Sequence, residues 1–151
     1  MNFIAHYFLD RNLDDSLFFA GVSTPDLVSI FDRNIRLKAK RMPLIMENEA
    51  TQEELSFYNG VMRHFEVDRI FHTSEFFKSE VKLLCDAFTY HLGEKVVKRD
   101  YFVAHILFEL TLDKVLIQQN AFLIDDFYAH LESRPLEELV RLTEWVTHTP
   151  M

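Results

Sequence analysis

The sequence predicts an all-α protein, a single-domain bundle of about six to seven helices. Apolar residues recur at three- or four-residue spacing through nearly the whole chain, which is the period of one helix face. Only three Gly and four Pro occur in 151 residues, fewer than the turns of a sheet protein require. A chain of this length that is 48% hydrophobic can bury one sizeable core, so we expect residues 1–151 to form one domain.

Charge and cysteine content narrow the class of protein. The net charge of −8 argues against binding to nucleic acid or to an anionic membrane, because both need a basic surface. No apolar run approaches the roughly 20 residues that span a bilayer, and the start, MNFIAHYFLDRN, lacks the basic region of a signal peptide. Cys85 is alone and lies in a helical apolar stripe, which indicates a buried structural thiol. We therefore expect a cytoplasmic protein.

Two short helices are predicted at the start of the chain. Residues 2–9 are apolar, with Asn2 as N-cap and His6 in the middle of the segment. Residues 14–21 follow as a second short helix that ends at Gly21.

A third helix is predicted over STPDLVSIF. Thr24 would be its N-cap and Pro25 its first helical residue, where the missing N–H costs nothing. Asp26 then falls in the first turn. A carboxylate there either complements the helix dipole or serves as a ligand for a metal ion.

The stretch TQEELSFYNGVMRHFEVDRIFHT has the clearest helical signals. Thr51 and Glu54 form the T-x-x-E pattern of a capping box, which marks a helix start. His64 and Asp68 are one turn apart on the face that carries the apolar residues, so we expect both to point toward the core. A buried imidazole and carboxylate need either polar partners or a metal. The apolar residues of this face are Phe57, Val61 and Phe71.

Further helices are predicted in the second half of the chain. One begins after Ser74 and ends at Gly93, and a long one begins at Asp100 and carries His105 and Glu109 at i, i+4. After a break at Asn120 come a helix in AFLIDDFYAHLES and a last one in PLEELVRLTEWVTH. Two long helices thus each carry a His and a carboxylate one turn apart, which favours one site shared by both pairs over a chance occurrence of this spacing.

Imidazoles and carboxylates without Cys suit Zn, Mn, Fe or Mg. Such a site lowers the pKa of bound water and clamps the oxygens of a phosphoester, so it predicts hydrolysis. No Gly-rich phosphate loop, G-x-S-x-G or H-E-x-x-H occurs in the sequence. The alternative is that these polar core residues merely satisfy one another. The candidate metal ligands are His6, Asp26, His64, Asp68 and Glu109, with His64, Asp68 and His105 or His72 as candidate catalytic groups.

One basic segment stands out in an acidic chain. RNIRLKAKR, residues 33–41, either forms a solvated loop or binds an anionic substrate or partner. In the second case Arg36 and Lys40 are the candidate substrate-binding residues.

Four stretches, in order, resemble motifs of the acyl carrier protein phosphodiesterase family: MNFIAH, GVSTPDL, GVMRHFEVDRIFH and FELTLDKVL. The resemblance spans about residues 1–118. His6, Asp26, His64 and Asp68 match the family pattern, and Glu109 stands where the family has Asp.

The resemblance implies an HD-domain-like helical fold and an enzyme that hydrolyses the phosphopantetheine arm from acyl carrier protein with a divalent metal, usually Mn. Phe65 stands in place of the family's Arg, and Leu110 in place of its late His. These departures keep a second reading open, a helical binding module on the same scaffold without catalysis. The expected partner is acyl carrier protein or another phosphodiester. The oligomeric state stays open, a homodimer included.

Overall fold

The computed structural model describes residues 1–32, 34–35, 37–42, 50–93 and 99–147. All regular structure in these ranges is helical, which confirms the predicted all-α bundle. Within them, no helix has the length and apolar character needed to cross a membrane. Helices α1 to α7 span Phe3–Asp10, Ser16–Phe31, Gln52–Thr73, Glu75–Leu92, Asp100–Gln119, Leu123–Glu132 and Leu136–Thr147, with a 3-10 turn at Ala39–Arg41.

Helix α3 begins as predicted, at a complete capping box. The Glu54 N–H donates to Thr51 Oγ1 at 3.2 Å, and the Thr51 N–H donates to Glu54 Oε2 at 2.9 Å. Two orphan donors of the first turn are satisfied in this way. The predicted inner face is buried at Phe57, Val61 and His64, whereas Asp68 and Phe71 of the same face are half-buried.

Helix α2 corrects the prediction of two helices separated at Gly21. It runs without a break from Ser16 to Phe31 and contains Gly21 and Pro25. Thr24 is not an N-cap, since its hydroxyl donates to the Ala20 carbonyl one turn earlier, at 2.8 Å. Asp26 therefore lies in the second half of α2 and not in the first turn of a helix.

The close crossing of α2 and α3 explains why Gly21 does not end a helix. A Cβ on Gly21 would lie 2.0 Å from the Phe57 carbonyl oxygen, and a Cβ on Gly60 would lie 2.0 Å from the Phe18 carbonyl oxygen. The two glycines therefore let the two backbones touch. This packing outweighs the helix propensity that Gly loses relative to Ala, which is about 1 kcal/mol.

Helix α1 is held at its start by a residue from α5. The Asn2 side chain makes no capping hydrogen bond, although Asn2 is the predicted N-cap. Instead the Asp113 carboxylate accepts from the backbone N–H groups of Ile4, at 3.3 Å, and Ala5, at 2.8 Å. Asp113 thus caps α1 from a distant part of the sequence and fixes the orientation of His6.

Helices α4 and α5 pack side by side around buried Phe77, Val81 and Ala104. Gly93 ends α4 with φ of 79°, as predicted. Cys85 differs from the prediction of a buried thiol: it is half-buried at the edge of this cluster, where burial and nearby carboxylates raise the pKa of its thiol. The α4–α5 pair forms one wall beside the site described next.

Candidate metal centre

Three of the predicted ligands come from three different helices and meet at one point. His6 of α1, Asp26 of α2 and His64 of α3 each offer a ligand atom, and these atoms lie within 4.8 Å of one another. The His6 and His64 rings stack with centroids 4.2 Å apart, and His64 Nε2 lies 3.9 Å from Asp26 Oδ1. We call His6, Asp26 and His64 the first group.

A backbone hydrogen bond orients His64 within this group. Its Nδ1 lies 2.9 Å from the Val22 carbonyl oxygen, so Nδ1 donates and Nε2 is left without a proton to face the carboxylates. Burial and the neighbouring His6 lower the pKa of His64 to about 4. The ring is therefore neutral at pH 7, the form that binds a metal ion.

His6 carries the strongest sign of a missing partner. Its side chain is 3% exposed, and its Nε2 lies 3.2 Å from Asp68 Oδ1 in a geometry that is not a hydrogen bond. Among the described residues this buried nitrogen has no hydrogen-bond partner. An unsatisfied buried polar atom costs roughly 1–3 kcal/mol, a cost that a coordinated cation would remove. The first group thus fits a divalent metal ion.

A second group lies on α3 and α5. His72 Nε2 and His105 Nε2 each lie 2.9 Å from Glu109 Oε1, and the ligand atoms of the three residues fall within 4.8 Å of one another. The ring of buried Phe77 packs edge-on against both imidazoles. The predicted closeness of His105 and Glu109 is present, but Glu109 groups with these two histidines and not with His6, Asp26 and His64.

Asp68 lies between the two groups. Its Oδ1 is 3.2 Å from His6 Nε2, while its Oδ2 is 3.6 Å from His64 Nε2 and 3.9 Å from His72 Nδ1. Its two oxygens thus face both groups. A carboxylate in this position can ligate an ion in either group.

The central carboxylates are ionised. Burial tends to raise the pKa of Asp68, but contacts with His6 and with the amino group of Met1, 2.5 Å away, hold it well below its usual range. Burial likewise opposes the shift at Glu109, yet the hydrogen bond from His72 and the charge of the same amino group lower its pKa to about 2. Both side chains therefore offer full negative charge at neutral pH.

The pKa of Asp26 is shifted in the opposite direction, upward. Burial raises the pKa of its carboxyl to about 6, and repulsion from Asp68 and Glu109 acts in the same direction, against the effect of His6. Its charged form is thus costly while no cation is near. A divalent ion in the first group would stabilise that charge.

The first group opens onto a cleft of about 970 Å³. Its described lining residues include Asp26, His64 and Asp68, the cations Lys38 and Arg99, and the apolar side chains of Ile30, Phe102 and Ile106.

The predicted substrate-binding residues fare differently. Lys40 is exposed and is not among the described residues that line the cleft, whereas Lys38 of the same basic segment is. Arg36 lies outside the described residues. Arg99 carried no signal in the sequence, because nothing local indicates that the start of α5 faces the centre.

Comparison with protein families, with curated proteins and with solved structures finds no match for this chain. The structure shows an all-helical protein with two adjacent groups of imidazole and carboxylate side chains beside a cleft lined by cationic and apolar residues.

Proposed function

We propose that this protein is a metal-dependent phosphodiester hydrolase of the cytoplasm. The observation that carries the proposal is the buried His6 Nε2, which has no hydrogen-bond partner among the described residues and lies 3.2 Å from Asp68 Oδ1, beside Asp26 and His64. All four residues lie within helices α1, α2 and α3, and side chains held on helices form a more precise site than side chains on loops.

The donor set suits Mn, Fe, Zn or Mg. Two imidazoles with carboxylate oxygens suit all of these ions better than soft metals. The resemblance to the acyl carrier protein phosphodiesterase family, and through it to HD-domain phosphohydrolases, supports Mn. When bound, such an ion would make water more acidic and polarise a phosphoryl oxygen.

Residues of the chain itself would orient the attacking water and supply a proton to the leaving oxygen. Asp68, fully ionised between the two groups, accepts hydrogen bonds from a water and orients it toward the phosphorus. Glu109 Oε1, 2.9 Å from both His72 Nε2 and His105 Nε2, fixes the two rings, and His105 can then transfer a proton to the leaving oxygen. The same second group can instead hold a second ion, since it also offers two imidazoles and a carboxylate.

The proposed substrate is the phosphodiester that joins phosphopantetheine to acyl carrier protein, or a similar phosphodiester. Acyl carrier proteins are acidic, and this chain carries −8, so docking needs the basic segment of residues 33–41. Such docking would weaken steeply as salt rises, because it is electrostatic.

The first test is the metal content of the purified protein and of a His64→Ala, Asp68→Ala double variant, by elemental analysis. We expect near-stoichiometric Mn, Fe or Zn in the wild type and its loss in the variant. His91→Ala is the control, since His91 is exposed at the end of α4. Two proteins that both stay metal-free after incubation with Mn or Zn contradict the proposal.

The second test is hydrolysis of bis(4-nitrophenyl) phosphate. Asp68→Asn should abolish it and Asp125→Asn, an exposed change on α6, should not. Metal binding without hydrolysis of this diester or of holo-acyl carrier protein would instead favour the binding module.

A further inference from the structure

The cleft beside the first group is lined by both cationic and apolar side chains, although the chain as a whole is acidic. Its cations are Lys38 and Arg99, and the carboxylates among the described lining residues are Asp26 and Asp68, which belong to the metal centre. With a divalent ion in place those carboxylates are neutralised, and Lys38 and Arg99 then make the cleft attractive to an anion.

Arg99 is held in an unusual backbone conformation at the edge of this cleft. Its φ and ψ are 69° and 42°, in the left-handed region that a side chain with a Cβ disfavours. It precedes the first residue of α5 but makes no side-chain capping hydrogen bond, so capping does not explain it. Arg99 is also among the lining residues of the cleft, and its guanidinium is the group best suited to bind phosphate oxygens in pairs.

Large apolar side chains that are exposed line the same cleft. Phe102 and Ile106 are one turn apart on α5 and are 58% and 41% exposed, and Ile30 of α2 is 71% exposed. Apolar surface that is left open along a cleft is typical of ligand sites. A bare phosphate would leave this surface in water.

The volume agrees with a ligand larger than a phosphate ion. About 970 Å³ is at the upper end of the range of small-molecule sites. An ester that places its phosphoryl group beside Asp26 and His64 thus has room for a sizeable substituent.

We infer that the cleft binds phosphate esters that carry an apolar substituent, with Arg99 and Lys38 contacting phosphate oxygens and with Phe102, Ile106 and Ile30 packing against the substituent. This inference rests on the proposed hydrolase activity and adds its substrate preference. Arg99 and Lys38 supply binding that is common to all such esters. Phe102 and Ile106 favour esters with an apolar substituent over esters without one.

The test compares two diesters with the same charge and the same leaving group, methyl 4-nitrophenyl phosphate and phenyl 4-nitrophenyl phosphate. The Mn-loaded wild type should have a kcat/KM at least about tenfold higher for the phenyl ester, the usual size of selection by one apolar contact. Phe102→Ala should remove most of that preference and leave the methyl ester nearly unaffected. Tyr90→Ala, which removes an exposed ring on α4 away from the cleft, is the matched control.

The cationic contacts are tested with the same two esters. Arg99→Gln should raise KM for both about tenfold, and Arg99→Lys should recover part of the loss. Lys114→Gln is the control, because Lys114 is exposed on α5 and is not among the residues that line the cleft. Equal kcat/KM for the two esters, together with an Arg99→Gln variant that behaves as wild type, would overturn the inference while the hydrolase proposal stands.

A binding measurement separates failure of this inference from failure of the proposed function. If neither ester is hydrolysed, calorimetry with phenylphosphonate and methylphosphonate on the Mn-loaded protein replaces the assay. Tighter binding of phenylphosphonate that Phe102→Ala abolishes supports the cleft even though the hydrolase proposal fails. No binding, or equal binding of both, overturns the inference itself.

Discussion

The contact between α2 and α3 makes Gly60→Ala a sensitive test of how the metal centre is built. A Cβ at this position would lie 2.0 Å from the Phe18 carbonyl oxygen and 2.9 Å from the Val22 nitrogen. Since Cβ atoms essentially never come closer than 3.0 Å to other heavy atoms, the helices must separate locally by at least about 1 Å. The atoms in the way belong to the backbone, so no side-chain rotation relieves the clash.

The cost of this separation follows from two opposing effects. Ala favours a helix over Gly by about 1 kcal/mol, while overpacking a core costs typically 1–3 kcal/mol and more where backbone must move. We expect a net loss of about 2 kcal/mol in the free energy of unfolding. A 1 Å shift would also lengthen the 2.9 Å contact between His64 Nδ1 and the Val22 oxygen beyond hydrogen-bond range. Loss of such an orienting bond lowers metal affinity about 10- to 100-fold.

Two measurements check this prediction. Urea unfolding followed by circular dichroism gives the free energy of unfolding, and calorimetric titration with Mn gives the affinity. Asn59→Ala is the matched control, since Asn59 is the neighbouring residue of α3 and is exposed. A Gly60→Ala variant with wild-type stability and wild-type affinity would refute the reasoning that this crossing positions His64.

Three further predictions concern Asp26, Asp113 and His6. The pKa of Asp26, raised from 3.8 to about 6 in the native state, makes its charge unfavourable above about pH 6 and without effect below about pH 3.8. In metal-free protein Asp26→Asn should therefore raise the free energy of unfolding at pH 8 and leave it unchanged at pH 3.5, as measured by urea unfolding. The pKa shift limits this gain in stability to about 3 kcal/mol, and solvent screening of a side chain that is one-third exposed reduces it to about 1 kcal/mol. Asp113→Ala should lower the free energy of unfolding by about 2 kcal/mol, because two buried N–H groups of α1 lose their acceptor, whereas Asp125→Ala should not. Adding Mn at 100 times its dissociation constant should stabilise the wild type by about 2.7 kcal/mol and His6→Ala far less, as measured by urea unfolding, and equal stabilisation of both would contradict the role of His6.

The parts of the fold that were predictable are those with local signals. The capping box of Thr51 and Glu54 and the spacing of the buried face of α3 are read within a few residues, and the structure confirms both. The closeness of His105 and Glu109 also follows from a single helical turn. In each case the sequence neighbourhood contains the whole cause.

The failures have long-range causes. Gly21 and Thr24-Pro25 carry the local pattern of a helix end, but the crossing with Gly60 keeps α2 continuous. How the ligands divide into two groups depends on which helices pack together, so Glu109 could not be assigned to His72 from spacing alone. Arg99 was missed for the same reason, because only the packed bundle brings the start of α5 to the cleft.

The cap that Asp113 gives to α1 sets an order for events during protein synthesis. An eight-residue helix is marginal in water by itself, and the group that accepts from the Ala5 N–H lies 108 residues further along the chain. His6 therefore leaves the ribosome well before Asp113 but reaches its position only after Asp113 has been made. A nascent chain that stops before α5 lacks the acceptor that positions α1, so the first group assembles only together with the bundle and cannot guide its early folding.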